Sequence, residues 1–203
     1  MATVLDDRTE AQAATIQAPP TLRLFTVAEY YKMAEAGILR PDERVELLEG
    51  RIVKMSPKGI RHAAVNDHAG DCFRRRLGDR VIVRIQNPIH LDESSEPEPD
   101  IVLAIAQEKR YFDHHPIPSD ILLAVEIADS SLRIDRGLKS RLYAQAGIIQ
   151  YCILNLPARE VEDYRDPSAD GYRSKQTYNA GQSFNLAAFP DVTISVDELL
   201  PPV

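Results

Sequence analysis

Hydrophobic and polar positions alternate along this chain with a period that changes from segment to segment. Thr26-Val-Ala-Glu29 has a capping-box pattern, Thr26 as N-cap and Glu29 three residues on. It opens a short helix that should stop near Gly37, ahead of Pro41. In RVELLEGRIVKMS two apolar runs flank Glu49-Gly50, the pattern of a tight β-hairpin. From about Arg61 to Leu77, Val65, Ala69, Cys72 and Phe73 recur at helical spacing and mark one buried face. Arg74, Arg75 and Arg76 fall in the last turn of that helix, where cations suit its dipole.

Strands are expected at Val81–Ile85, Ile101–Ile105 and Ile121–Ala128. The last two are nearly continuous in apolar residues, as central strands covered on both faces are. A second helix is expected from about Asp135 to Ala146, ending at Gly147, then strands at Ile148–Leu154 and Glu160–Tyr164. Asp170-Gly171 turns into another strand near Tyr172–Tyr178, and Val196–Leu200 forms a short helical turn. The sum is an α/β architecture, a mixed β-sheet flanked by helices, forming a single domain over residues 21–203 with no internal repeat. Residues 1–20, rich in Ala, Thr, Gln and Pro and without periodicity, read as a disordered N-terminal arm.

Composition adds limits. With 44% hydrophobic residues in 203, the chain can bury one substantial core. No apolar run approaches the roughly 18–20 residues of a membrane span, and no basic segment precedes an apolar one at the N-terminus, so a cytoplasmic protein is expected. Cys72 and Cys152 sit in apolar stretches of separate elements and read as buried, reduced packing residues. There is no CxxC pairing to support a structural zinc site. A net charge of −7 gives no support to tight nonspecific nucleic-acid binding, although charge near a site counts for more than the total.

The informative chemistry is acid within apolar strands. In ILLAVEIAD, Glu126 shares a face with Leu122, Ala124 and Ala128. A buried carboxylate there needs a cation, hydrogen bonds or a raised pKa. Asp100 follows Pro97 and Pro99 and directly precedes the run Ile101–Ile105. If the two strands pair antiparallel, both acids reach the same end of the sheet, and a hard divalent cation would relieve their repulsion. The plainer alternative is a surface Asp at a strand start and a Glu paired with an Arg.

Lys139, one turn before Tyr143 on the following helix, can point back to the strand ends and assist a nucleophilic water, or it can simply face solvent. Glu46 shares a face with Leu48 in the hairpin and offers a further carboxylate. His62 opens the first long helix as a general base, a phosphate contact or a structural residue. His68 is a weaker candidate, and His114-His115 reads as a solvated loop pair.

VELLEGRIVKMSPKGIRH, EPEPDIVL, LLAVEIADSS and a helix carrying Asp135, Lys139 and Tyr143 together resemble a bacterial family, common in cyanobacteria, of restriction-endonuclease type. The resemblance runs from about Leu24 to Leu200. It implies the restriction-endonuclease-like, PD-(D/E)XK fold, with Pro99-Asp100 as the PD motif and Glu126 as the acid of the second motif. Ala128 stands where that motif carries lysine, so Lys139 would serve from the next helix, and Glu46 and His62 match positions that complete the site. Cys152 follows Tyr151 where relatives often carry an aromatic, a difference of packing.

The implied activity is Mg²⁺- or Mn²⁺-dependent hydrolysis of a phosphodiester in nucleic acid, DNA foremost. Asp100 and Glu126 would hold the ion, and a homodimer would be expected. Two alternatives stand beside it: a non-catalytic interaction module that keeps the fold, and a hydrolase of another phosphoester. The acidic run Asp92, Glu93, Glu96 and Glu98 favours the module, unless it is a solvated loop. Arg133, Arg136 and Arg141 offer phosphate contacts.

Overall fold

The computed structural model describes residues 21–201, so the expected N-terminal arm lies outside the described residues. Helix α1 (Val27–Glu35) starts at Thr26 with the full capping box, and the hairpin β1 (Val45–Leu48) and β2 (Arg51–Lys54) follows. Helix α2 spans Ile60–Leu77. The main sheet then comprises β3 (Val81–Ile85), β4 (Ile101–Ile105), β5 (Ile121–Ala128), β6 (Gln150–Asn155), β7 (Glu160–Ser168) and β8 (Gly171–Asn179), side by side in that order. All neighbours pair antiparallel except β5 and β6, which are parallel.

A parallel pair needs a crossover. It is supplied by α3 (Leu132–Ile134), a π-helical turn over Asp135–Lys139, and α4 (Ser140–Gln145). This helix thus begins at Leu132, earlier than the expected Asp135. Leu132 and Ile134 are only partly covered, so the apolar stripe carries no mark of the extra turn. In the π turn the Ser140 N–H reaches the Asp135 carbonyl, five residues back, and the Tyr151 hydroxyl donates to the same carbonyl at 3.2 Å.

β4 and β5 are covered on both faces, as their apolar runs require. One face packs Ile101, Leu103, Leu123, Val125 and Ile127 against Val65, Ala69 and Phe73 of α2. The other packs Val102, Ala104, Ala124 and Ala128 with Leu142 and Tyr143 of α4. Both cysteines are free and buried. Among the described residues no helix is long and apolar enough to cross a membrane.

The later boundaries shift. β6 starts at Gln150, not Ile148, because Gly147 ends the helix at φ +81° and the Ile148 N–H turns back to the Tyr143 carbonyl. β7 runs on to Ser168, since its pairing with β8 continues to Ser168–Gly171. The short pair β9 (Ser183–Asn185) and β10 (Thr193–Ser195) has no counterpart in the expected elements. It leads into α5 (Val196–Leu199), whose Ser195 and Glu198 form a second capping box.

The β1–β2 turn carries positive φ at both Glu49 and Gly50, as a two-residue hairpin loop requires. Gly50 is also overlain by an earlier segment: its carbonyl accepts from the Phe25 N–H at 2.8 Å, and a Cβ would sit 2.6 Å from Leu24 Cβ. Gly50→Ala is therefore expected to lower stability by about 2 kcal/mol. Urea unfolding measures this, and a loss below about 0.5 kcal/mol would show that the close approach is not needed.

Candidate active site

Ile101 of β4 stands opposite Val125 of β5, so Asp100, just before β4, comes level with Glu126. The antiparallel condition for convergence of the two acids is met. Asp100 is no surface residue: it is 6% exposed. Its Oδ2 accepts from the Ile127 N–H at 2.9 Å and lies 3.0 Å from His62 Nε2, while Oδ1 accepts from Gln86 Nε2 at 3.2 Å. Burial works against ionisation here, but His62, the Ile127 N–H and Lys139 outweigh it and hold the carboxyl below the usual aspartate range.

Glu126 lies on the face of Ala124 and Ala128, as alternation requires. Its partner is Lys139, in place of the arginine of the plainer reading: Oε1 accepts from Lys139 Nζ at 3.0 Å and from the Tyr143 hydroxyl at 2.7 Å. Oε2 has no hydrogen bond among the described residues, and Glu126 lines an open cleft of about 300 Å³. Burial pushes the Glu126 pKa well above 4.5, against the pull of Lys139.

Lys139 is 5% exposed, which removes the solvent-facing reading. Its Nζ also stands 3.3 Å from Glu46 Oε2. Burial alone would discharge the amine, but Glu126, Glu46 and Asp135 together raise its pKa above the ordinary lysine value. The helix after β5 thus brings an amine to Glu126. Ala128 itself is fully buried and serves packing.

The remaining expected residues arrive from the other side. Glu46 of β1 is buried, and Oε2 also accepts from the Glu98 N–H at 3.1 Å. His62 sits in the first turn of α2, with Nδ1 buried and without a hydrogen bond among the described residues. Asp100, Glu126, Lys139, Glu46 and His62 all line the one cleft. His68 does not line it.

Four contributors were not among the expected site residues, although Asp135 stood in the family motif and Glu98 in the acidic run. Asp135, buried and bonded to Ser131 Oγ at 2.5 Å, lines the cleft four residues before Lys139, a spacing that could have revealed it. Gln86 and Glu98 carry no periodic signal. Lys58 lies between β2 and α2 in a stretch without regular structure, its Nζ 3.9 Å from Asp100 Oδ1.

Other expectations change. The acidic run is not a solvated loop throughout: Glu96 is buried, accepts from the Tyr31 hydroxyl at 2.5 Å and pairs with His90. His115 is half-buried with Nε2 3.0 Å from the same Tyr31 hydroxyl, so only His114 of that pair is solvated. Arg136 and Arg141 are engaged by Glu162 and Glu49.

Six carboxylates line the cleft (Glu46, Glu98, Asp100, Glu126, Asp129 and Asp135) against three lysines. This excess of hard oxygen donors suits Mg²⁺ or Mn²⁺. Among the described residues no group of three or more His, Cys, Asp or Glu side chains is placed to hold a metal by itself.

A family model, Uma2, described as “Putative restriction endonuclease”, matches residues 27–197. The fold is similar to a crystal structure described as “a putative nuclease belonging to DUF820 from Anabaena variabilis ATCC 29413”. The TM-score is 0.67 at 14% identity, over 87% of this chain and 97% of that one. No curated protein sequence matches the chain.

Proposed function

Since the chain belongs to the Uma2 family, we propose that it is a divalent-metal-dependent nuclease hydrolysing phosphodiester bonds in nucleic acid, DNA foremost, at the Asp100–Glu126 cleft. The observation that carries this reading is Glu126 Oε2, an acid oxygen without a hydrogen bond among the described residues, level with Asp100 on an acid-rich cleft. Asp100 and Glu126 would hold Mg²⁺ or Mn²⁺. The ion would supply positive charge at the phosphate and make water more acidic.

The protein's own groups do the positioning. His62 and the Ile127 N–H fix Oδ2 of Asp100. Tyr143 and Lys139 fix Oε1 of Glu126 and so aim Oε2 outward. Lys139 donates to Glu126 and faces Glu46 as an ion pair, which leaves N–H donors to orient a water against the phosphorus. Glu46, 3.3 Å from this amine, is the carboxylate placed to accept the water's proton. A homodimer, pairing two such clefts across two strands, belongs to the same reading.

Calorimetry with Mn²⁺ on the parent and Asp100→Ala tests it. The parent should bind at millimolar concentration or below and the variant at least about tenfold more weakly. No binding by the parent would remove the metal-dependent reading and leave a non-catalytic module. If Mn²⁺ binds but neither DNA nor RNA is cut, the site serves another phosphoester.

A further inference from the structure

The cleft holds two lysines close to its acids, and they are placed for different work. Lys139 is enclosed and ion-paired with two carboxylates. Lys58 is half-buried, its side chain 17% exposed, although Ser56, Pro57, Gly59 and Ile60 around it are exposed. It is turned inward from an otherwise solvated stretch. Its ammonium makes one long ion pair, 3.9 Å to Asp100 Oδ1, and no hydrogen bond among the described residues.

Asp100 has closer partners in His62, Gln86 and the Ile127 N–H, so the carboxylate does not depend on Lys58 for its placement. A flexible lysine stem with spare donors at the mouth of an acidic cleft has a different use. It supplies the positive charge that a phosphate needs to enter past six carboxylates.

Resting on the metal-dependent reading above, we infer that Lys58 is the residue that contacts the substrate phosphate. It leaves Asp100 for a non-bridging phosphate oxygen when a divalent cation occupies that carboxylate. Lys139 then orients water from the buried side while Lys58 holds the phosphodiester from the open side. The division explains why the cleft carries a second inward lysine on a largely exposed segment without regular structure. It also makes Lys58 a competitor of the metal in the free protein and an ally of the substrate in the complex.

That double role gives opposite effects in two titrations of Lys58→Gln. With Mn²⁺ alone, calorimetry should show the variant binding several-fold more tightly than the parent, about threefold to tenfold, because Asp100 loses a competing cation. With a fluorescently labelled oligodeoxynucleotide in Ca²⁺, anisotropy should show about tenfold weaker binding and a salt slope shallower by about one. Lys58→Arg should restore most of the oligonucleotide affinity.

A purely structural lysine would lower the melting temperature and leave the salt slope alone. Mn²⁺ affinity that stays level or falls in Lys58→Gln overturns the assignment, as does an unchanged oligonucleotide titration. A parent that binds no Mn²⁺ overturns the hydrolase reading and this inference with it, so the parent's own titration tells the two failures apart.

Discussion

Glu126→Gln is expected to lower phosphodiester hydrolysis by at least about a thousandfold in Mn²⁺ while leaving the fold close to parental stability. The substitution is isosteric. A glutamine carbonyl can take the place of Oε1 and still accept from Lys139 and the Tyr143 hydroxyl. What disappears is the anionic Oε2 at the cleft, the oxygen with no hydrogen bond among the described residues. The amide that replaces it is neutral and cannot serve as a hard anionic donor. Removing a carboxylate whose pKa burial has already raised also relieves a desolvation cost, which offsets the lost attraction to Lys139. Activity and stability therefore separate. The assay is cleavage of labelled DNA beside a thermal melt of the same preparation. Cleavage within about tenfold of the parent would place the chemistry elsewhere.

Much of this site was legible because acids interrupt apolar runs. Asp100 and Glu126 stand out against Ile101–Ile105 and Ile121–Ala128, and alternation alone assigns Glu126 its face. Their meeting rested on antiparallel pairing, a tertiary fact the pattern could state only as a condition. Lys139 was ambiguous by periodicity. A helix lysine beside an apolar stripe can face either way; its place one turn before Tyr143 made it a candidate, and the family resemblance gave it the motif's role.

The π turn left no trace in the stripe because its register depends on Tyr151, a β6 residue that donates to the Asp135 carbonyl. Such a turn alters which side chains share a face, and π turns often sit at functional sites. Lys58 and Gln86 were invisible for a simpler reason. They lie on segments without regular structure, where no period exists to read. The strands β9 and β10 have three residues each and are held by Phe184 and Ile194 in the core, too short for alternation to register.

Lys139→Met separates charge from packing in the same cluster. Methionine keeps much of the stem's volume and removes the ammonium, so Glu126 and Glu46 lose the cation they share. Stranding buried carboxylates in this way is expected to cost about 3–5 kcal/mol. The loss has a pH signature with a definite sign. Without Lys139 the folded-state pKa of Glu126, already raised by burial, rises further above its unfolded value near 4.5.

Below that value the carboxyl is protonated in both states, and the variant is closest to the parent. As pH climbs from there through the raised folded value, the unfolded chain releases a proton that the folded chain keeps, and stability falls. The parent's Glu126 is raised too, so the deficit should be smallest in acid and widen with rising pH once the parent's folded value is passed. Adding Glu126→Gln to Lys139→Met should recover about 1–3 kcal/mol, since it removes one stranded charge. Urea unfolding of parent, single and double variants at acid and neutral pH reads both effects. A deficit that is the same at every pH and unrelieved in the double variant would show that Lys139 holds the fold through its stem and not its charge. The ammonium would then have no part in fixing Glu126.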